Sequence, residues 1–545
     1  MSFPRIIAVA RGLIHGSEAR AAEKMRTERF NEACADTEWE KLAQSMTMLK
    51  DTKNVVHVGE AINRAEESLA LCVELERLWG SHLLINGATG TGKTYAQLGL
   101  MEFLLPRVLQ GDAAVVSVEG KGELSGLLIG NLLPKALSTL PPKTREAALA
   151  RINFLSPFSE DCIPVMNLIA PPPGVSSELH LLDLLHAFEV AAEAPLGVRQ
   201  HELFVMGLKL LAEHKLHLPS FPFIFSNPPL LQRLVLQSSP DLRAYFLHRY
   251  PQESEETKGG VLARLERVLA LRSSRLSLSA PSCVDFREIL SCGVTVISLA
   301  APFGCREAQK FWSAMLVSRL LRAIFARPND PRLPPAVIAS DEAQDFLQGP
   351  HAAEAERALT QARSRRVSLW LACQQFAQLE AASPTLAKAL RTNCNVQALF
   401  RSSPEDSHAM RHILPVSGRH PRPAPAPWEK VSSPFLNQGE EEKFLLDEGT
   451  RLPDRVGWWW DRRQPWRAVK FKTREVDLRG NEEMAEELQR RLKHGKWSMP
   501  AEELEKCVAE ERQRLMTLSG QPEDEDGKTP HVGRRRKSHN LPELG

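Results

Sequence analysis

Short apolar runs alternate with amphipathic stretches through most of this chain. Runs at 82–86, 113–118, 294–299, 336–340, 367–373 and 396–400 have strand length and are set apart by longer, mixed segments. Strands separated by helices predict an α/β fold with a doubly wound, mainly parallel sheet. Val55-Val56-His57-Val58-Gly59 reads as a short strand entering that domain. The alternation stops between Ser176 and Ala280, where the pattern is helical, for example Glu178 to Ala191, Glu202 to His214 and Val261 to Leu271. Pro171-Pro172-Pro173-Gly174 stands before it as a boundary. Beyond Ser403 the chain is proline-rich (Pro421 to Pro427) and then gives one more strand pair, around Val456 to Trp460 and Trp466 to Phe471. The expected organisation is a helical extension (1–54), a first part of the sheet domain (55–175), an all-α insertion (176–280), a second part of the sheet domain (281–480), and a charged helical and disordered tail (481–545).

Composition narrows the class. A chain of 545 residues holds more than one domain. Hydrophobic content of 43% and charged content of 25% describe an ordinary globular protein. The net charge of +2 does not announce nucleic-acid binding, so any such contact must come from a local patch or pore. The apolar runs, such as Val294 to Ala301, fall far short of the ~20 residues that span a bilayer. Arginines within Met1 to Ile14, and no small-residue cleavage site, argue against a secretory leader. Nine cysteines without a C-x-x-C pair read as reduced thiols in a cytoplasmic protein. The 16 histidines show no ligand spacing, so no metal is expected beyond one carried by a nucleotide. No internal repeat is found.

Gly87-Ala88-Thr89-Gly90-Thr91-Gly92-Lys93-Thr94 fits G-x-x-x-x-G-K-[ST] at every fixed position. It follows the apolar run His82 to Asn86 and precedes a helix-like segment, Tyr95 to Leu105. The glycines let successive N–H groups turn toward phosphate oxygens, and the following helix adds its positive end. Lys93 would reach the β- and γ-phosphates of ATP, and the Thr94 hydroxyl would hold Mg²⁺.

The run Ala336 to Ser340 ends in Asp341-Glu342. Asp341 would hold the Mg²⁺ shell, and Glu342 would orient and polarise the attacking water. The run Val367 to Cys373 ends in Gln374-Gln375, an amide position from which the γ-phosphate could be sensed. Gln374 is the choice and Gln375 the fallback; a polar strand cap is the plainer reading. Arg363, in Ala362-Arg363-Ser364-Arg365-Arg366, would complete a neighbouring subunit's site as a cation in trans. A solvated basic cluster or a DNA-facing patch is the equal alternative. Trp458-Trp459-Trp460 reads as packing before base stacking, and Arg534 to Lys537 as a solvated stretch.

Together these segments resemble the HerA/FtsK superfamily of ring-forming DNA motors, and most closely the TraG/TraD-type coupling ATPases of conjugative type IV secretion. The likeness runs through "HLLINGATGTGKT" (82–94), "VVSVEGKGEL" (115–124), "PVMNL" (164–168), "VDFREILSCGVTVISLAAPFG" (284–304), "IASDEAQDF" (338–346), "ARSRRVSLWLACQQFAQL" (362–379) and "NCNVQALFRSSPEDS" (393–407). In 115–124, Glu119 and Gly120 replace the acidic and proline positions of the family's D-P-K-G-[DE]-L motif. The resemblance implies a RecA-like P-loop NTPase that assembles as a homo-hexamer, binds ATP between subunits and passes DNA through a central channel by backbone contacts. It puts Arg363 on the family's finger position and Gln374 on its sensor position. Family members usually carry N-terminal transmembrane helices, and no such helix is read here, so a cytoplasmic protein docked on an inner-membrane partner is expected. Secretion-channel, relaxase or nuclease proteins are the expected partners. Two other readings stay open: a HerA-like translocase in DNA processing or defence, and an ATP-gated adaptor that does not move DNA. The region around Lys121 and the segment after Phe346 are guesses for pore loops.

Overall fold

Eleven strands form one sheet in a computed structural model that describes residues 37–49, 54–63, 66–172, 175–346, 351–418, 420, 422 and 435–519. In chain order the strands are β1 (Val55–Ile62), β2 (Ser68–Glu74), β3 (His82–Asn86), β4 (Ala114–Glu119), β5 (Ile152–Leu155), β6 (Ile163–Pro164), β7 (Gly293–Ser298), β8 (Ala336–Ser340), β9 (Val367–Cys373), β10 (Cys394–Phe400), β11 (Val456–Asp461), β12 (Val469–Thr473) and β13 (Ser498–Met499). The order across the large sheet is β2-β1-β12-β11-β10-β3-β9-β8-β4-β7-β5; β6 and β13 pair separately. From β10 to β5 every neighbouring pair is parallel. From β10 outward through β11, β12, β1 and β2 every pair is antiparallel. The fold is therefore α/β, with a large and mostly parallel sheet.

The parallel strands are covered on both faces, which is why β3, β4, β7, β8 and β9 read as unbroken apolar runs and are buried at every position. Alternation along β3 feeds two cores: Leu84 joins the cluster on one face, and Leu83 and Ile85 join that on the other. The edge hairpin β1–β2 is longer than the short strand read from the sequence; the apolar run Leu69 to Val73 in β2 was not read as a strand, and β5 is only four residues long. β2 alternates between buried and exposed positions, as an edge strand does. Trp458 and Trp459 are buried by packing, Trp459 against Phe471 at 5.6 Å between ring centres.

Between β6 and β7 the chain is helical from Ser177 to Leu278. Ser176 caps the first of these helices by accepting from Leu179 N at 3.2 Å. Phe188 joins this region to the sheet domain through Phe311, 4.7 Å away on the long Arg306–Ala326 helix. The charged segment after Asn481 forms two helices with apolar stripes. Met484, Leu488 and Leu492 of Glu482–Lys493 enter the second core. Helix Ala501–Ser519 lies on the helical region, where Glu511 pairs with His217 and Arg272 meets Glu505 at 2.6 Å. Residues 16–36, the segment just after Phe346, most of Pro421 to Pro427, and the acidic and basic runs after residue 520 lie outside the described residues.

Candidate nucleotide site

Strand order creates the cleft. The chain leaves β3 for β4 on one side and returns last to β10 on the other, so the C-terminal end of β3 lies at a switch point where an open α/β sheet gapes. β9 stands between β3 and β8, which puts the Gln374 end beside the phosphate-loop strand and the Asp341-Glu342 end one strand further. A cleft of about 520 Å³ opens there, lined by Thr89, Gly90, Gly92, Lys93, Thr94, Tyr95, Glu119, Gly120, Lys121, Glu123, Asp341, Glu342, Gln374, Asp454 and Arg455.

The loop is shaped by its glycines and by the chain packed beneath it. Gly90 and Gly92 are left-handed, with φ of +75° and +104°. A Cβ on Gly92 would sit 3.0 Å from Arg455 Cγ, and one on Gly87 would sit 2.7 Å from Phe400 Cβ. Gly87 N donates to Cys373 O at 3.2 Å, and Ala88 N donates to Arg401 O at 2.7 Å, so β9 and the end of β10 hold the loop's entry. The Thr91 hydroxyl donates to Ala88 O at 2.8 Å, and Arg455 N to Thr91 O at 2.8 Å. Helix Lys93–Gln110 begins directly at Lys93, with its free N–H groups facing the cleft.

The residues singled out from the sequence fall into two groups. Lys93, Thr94, Asp341, Glu342 and Gln374 converge on the cleft. Lys93 is buried and donates to Ala88 O at 2.8 Å. Burial holds its amine below the usual lysine range, against the upward pull of Asp341 and Glu342; the charge of Lys121 lowers it further. The Thr94 hydroxyl donates to Asp341 Oδ2 at 3.0 Å. Glu342, 6% exposed, takes a left-handed backbone (φ +60°) that turns its side chain away from the strand line, and its N–H donates to Asp341 Oδ1 at 3.1 Å. Gln374 Nε2 donates to Glu342 Oε1, and Gln374 Oε1 accepts from the Thr89 hydroxyl at 2.9 Å. Gln375 is exposed and outside the cleft.

Arg363 lies elsewhere. It sits before β9, at the end of that strand opposite Gln374; its carbonyl accepts from Arg366 N at 3.0 Å and the residue is exposed. A seven-residue strand spans about 23 Å, so Arg363 does not reach the cleft of its own chain. The neighbouring arginines are committed: Arg365 to Arg327 O, Arg366 to Pro331 O, and Arg401 to Asp454 at 2.6 Å.

Reading the residues in sequence missed Lys121 and Arg455 as members of the cleft. Lys121 pairs with Glu342. Its signals were its place just after β4 and within the 115–124 segment, and neither says which residue it meets. Arg455 had none, because the hairpin that carries it is brought to the loop by antiparallel pairing with β10. Glu119 is occupied locally: its carboxylate accepts from Gly122 N at 3.0 Å and from Leu124 N and Ser125 N at 3.2 Å, capping the next helix.

The donor set suits a magnesium nucleotide. A hydroxyl and a carboxylate oxygen meet at a helix start, next to a loop whose left-handed glycines leave backbone N–H groups open to an anion. Residues 335–411, which contain Asp341, Glu342, Arg363 and Gln374, match a family model described as the TraM recognition site of TraD and TraG. This segment is TraG/TraD-like. A search of the curated proteins finds no match. Among solved structures, the unbound monoclinic form of the bacterial conjugative coupling protein TrwBdeltaN70 is 16% identical, with 81% of this chain and 92% of that chain covered and a TM-score of 0.47. VirB4 of Thermoanaerobacter pseudethanolicus is 13% identical, with 78% and 98% covered and a TM-score of 0.48. The plasmid coupling protein TrwB in complex with ADP and Mg²⁺ is 16% identical, with 78% and 91% covered and a TM-score of 0.45. No helix among the described residues is long and apolar enough to cross a membrane.

Proposed function

We propose that this chain is an ATPase of the TraG/TraD coupling kind, a ring-forming motor that hydrolyses ATP to move DNA. The observation that carries the reading is the meeting of Lys93, Thr94, Asp341, Glu342 and Gln374 in one cleft, drawn from three separate strand ends. An anion-binding loop alone would serve many nucleotide proteins; a buried glutamate bonded to an amide on the next strand adds the means to orient water.

In this reading Lys93 and the loop N–H groups bind the triphosphate. Thr94 and Asp341 hold Mg²⁺, which when bound offsets charge on the β- and γ-phosphates. Glu342 orients the attacking water and takes its proton, and Gln374 ties the state of that carboxylate to Thr89 of the loop. Arg363 serves the cleft of a neighbouring copy, since its own is out of reach. Subunit movement on hydrolysis carries DNA by its phosphates, without base contacts. A TraM-like relaxosome component docks on the exposed faces of the 335–411 segment, which matches the model named for that recognition.

The test is ATPase activity with and without single- and double-stranded DNA, with assembly size followed by mass photometry. Stimulation by DNA together with ring formation supports the motor. Turnover indifferent to DNA, in an assembly that forms with nucleotide, would favour the ATP-gated adaptor.

A further inference from the structure

We propose that Lys121 is a second catalytic lysine, released from Glu342 to the γ-phosphate when the triphosphate binds. The inference rests on the ATPase reading above and assigns a residue to it. Lys121 Nζ and Gln374 Nε2 both meet Glu342 Oε1, so one oxygen of the water-orienting carboxylate is held by two donors. An oxygen held by two donors is closed to a water that would donate to it. The lysine can leave: its side chain is 54% exposed against 8% for Glu342, and it lies in the cleft lining beside Lys93. The two ammoniums share one cleft and repel one another. A polyanion between them turns that repulsion into attraction to both.

The backbone under Lys121 is fixed, so only its stem needs to move. Glu119 caps the helix start at Gly122, Leu124 and Ser125. Gln309 Nε2, from the Arg306–Ala326 helix, donates to Gly120 O at 3.2 Å and to Leu299 O at 2.8 Å. Gly122 is left-handed, and a Cβ there would stand 3.3 Å from Ala300 Cβ. A cation on a held loop is preorganised for charge that grows on the transferring group.

The exchange couples binding to base activation. Lys121 moves from Glu342 to a γ-phosphate oxygen, and Glu342 Oε1 becomes open to water. The water oxygen then bonds to the γ-phosphorus, the bond from that phosphorus to the β,γ-bridging oxygen breaks, ADP leaves with the electron pair, and Glu342 takes the water proton. ADP offers no γ-phosphate and leaves Lys121 on Glu342.

The test uses the full chain with Lys121→Met, Lys121→Arg and Glu342→Gln, and compares affinity for a β,γ-imido ATP analogue with affinity for ADP. Loss of one charge-assisted contact should weaken the analogue about 10- to 100-fold in Lys121→Met. ADP affinity should stay within about twofold, which also shows that the variant is folded. kcat should fall with it, and Lys121→Arg should restore part of both. Glu342→Gln should tighten analogue binding by removing the competitor for Lys121, and adding Lys121→Met should reverse the gain. An unchanged analogue-to-ADP ratio for Lys121→Met in both backgrounds overturns the proposal. Nucleotide binding that survives Lys93→Ala would instead overturn the reading on which it rests.

Discussion

The Thr94 hydroxyl donates to Asp341 Oδ2 at 3.0 Å, joining the first residue pair of a helix to a strand end 247 positions away. Both groups are oxygen ligands suited to a hard cation, and each orients the other. Asp341→Ala should therefore lower Mg²⁺-dependent nucleotide affinity about tenfold or more while Mg²⁺-free binding changes little. Titration of a fluorescent nucleotide with and without Mg²⁺ checks this.

Lys93→Ala should abolish measurable triphosphate binding. Its ammonium is buried among loop carbonyls and acids, and no other described cation occupies that position. Equilibrium binding by calorimetry is decisive, because retained affinity would mean the loop is not the phosphate cradle.

Glu342→Gln should bind nucleotide at least as tightly and lose turnover by about 10²-fold or more, the usual contribution of a positioned base. The amide keeps a hydrogen-bonding group beside Gln374 but takes no proton. Steady-state phosphate release alongside binding separates the two effects, and normal hydrolysis would place the base elsewhere.

Arg363→Ala should be inactive alone, yet partly active in assemblies mixed with Lys93→Ala subunits, where one intact site pairs with one intact finger. The effect in related trans arginines is about 10³–10⁵ in rate. Arg365→Ala and Arg366→Ala should act on stability first, because both side chains hold backbone carbonyls. Mixing experiments that restore nothing would remove Arg363 from the reaction.

Gly92→Ala and Gly90→Ala each force a left-handed alanine, at about 1–2 kcal/mol. Gly92→Ala should destabilise further and weaken nucleotide binding, since its Cβ meets Arg455 at 3.0 Å, whereas nothing lies within 4 Å of a Cβ at Gly90. Denaturant midpoints and nucleotide affinities of the two variants give the comparison.

Acid should destabilise the fold between about pH 6.5 and pH 4. Burial, with nearby Arg363, Arg319 and Arg391 respectively, pushes His82, His180 and His412 down to about 4. The folded values lie below the unfolded one, so the unfolded chain binds more protons in that window. Their stabilisation is complete above the unfolded pKa and fades as pH falls, at up to about 1.4 kcal/mol per pH unit for each histidine. Unfolding midpoints at pH 7.5 and pH 5 should differ accordingly, and His412→Gln should flatten the slope.

Local patterns carried the parallel half of the sheet because strands buried on both faces must be apolar throughout, and β3, β8 and β9 are. The antiparallel half was fainter. β2 has an exposed face, and nothing within Arg455 announces that it will press on Gly92. At the cleft, Lys93 and Thr94 were legible from the glycine spacing of 87–94, and Asp341, Glu342 and Gln374 because they follow apolar runs, where chemistry-bearing residues of such sheets emerge. Lys121 was visible as a residue but not as a partner of Glu342, for a single strand end does not reveal which neighbour it will face.

The sequence by itself determined the elements, the phosphate-binding turn and the kinds of groups offered at the strand ends, since period, glycine spacing and strand termination are properties of adjacent residues. Tertiary structure alone decided that β9 stands between β3 and β8, that Lys121 rests on Glu342, and that Arg363 stands a strand's length from its own cleft. Those depend on strand order and on contacts between residues hundreds of positions apart, which long-range packing selects and no local pattern encodes.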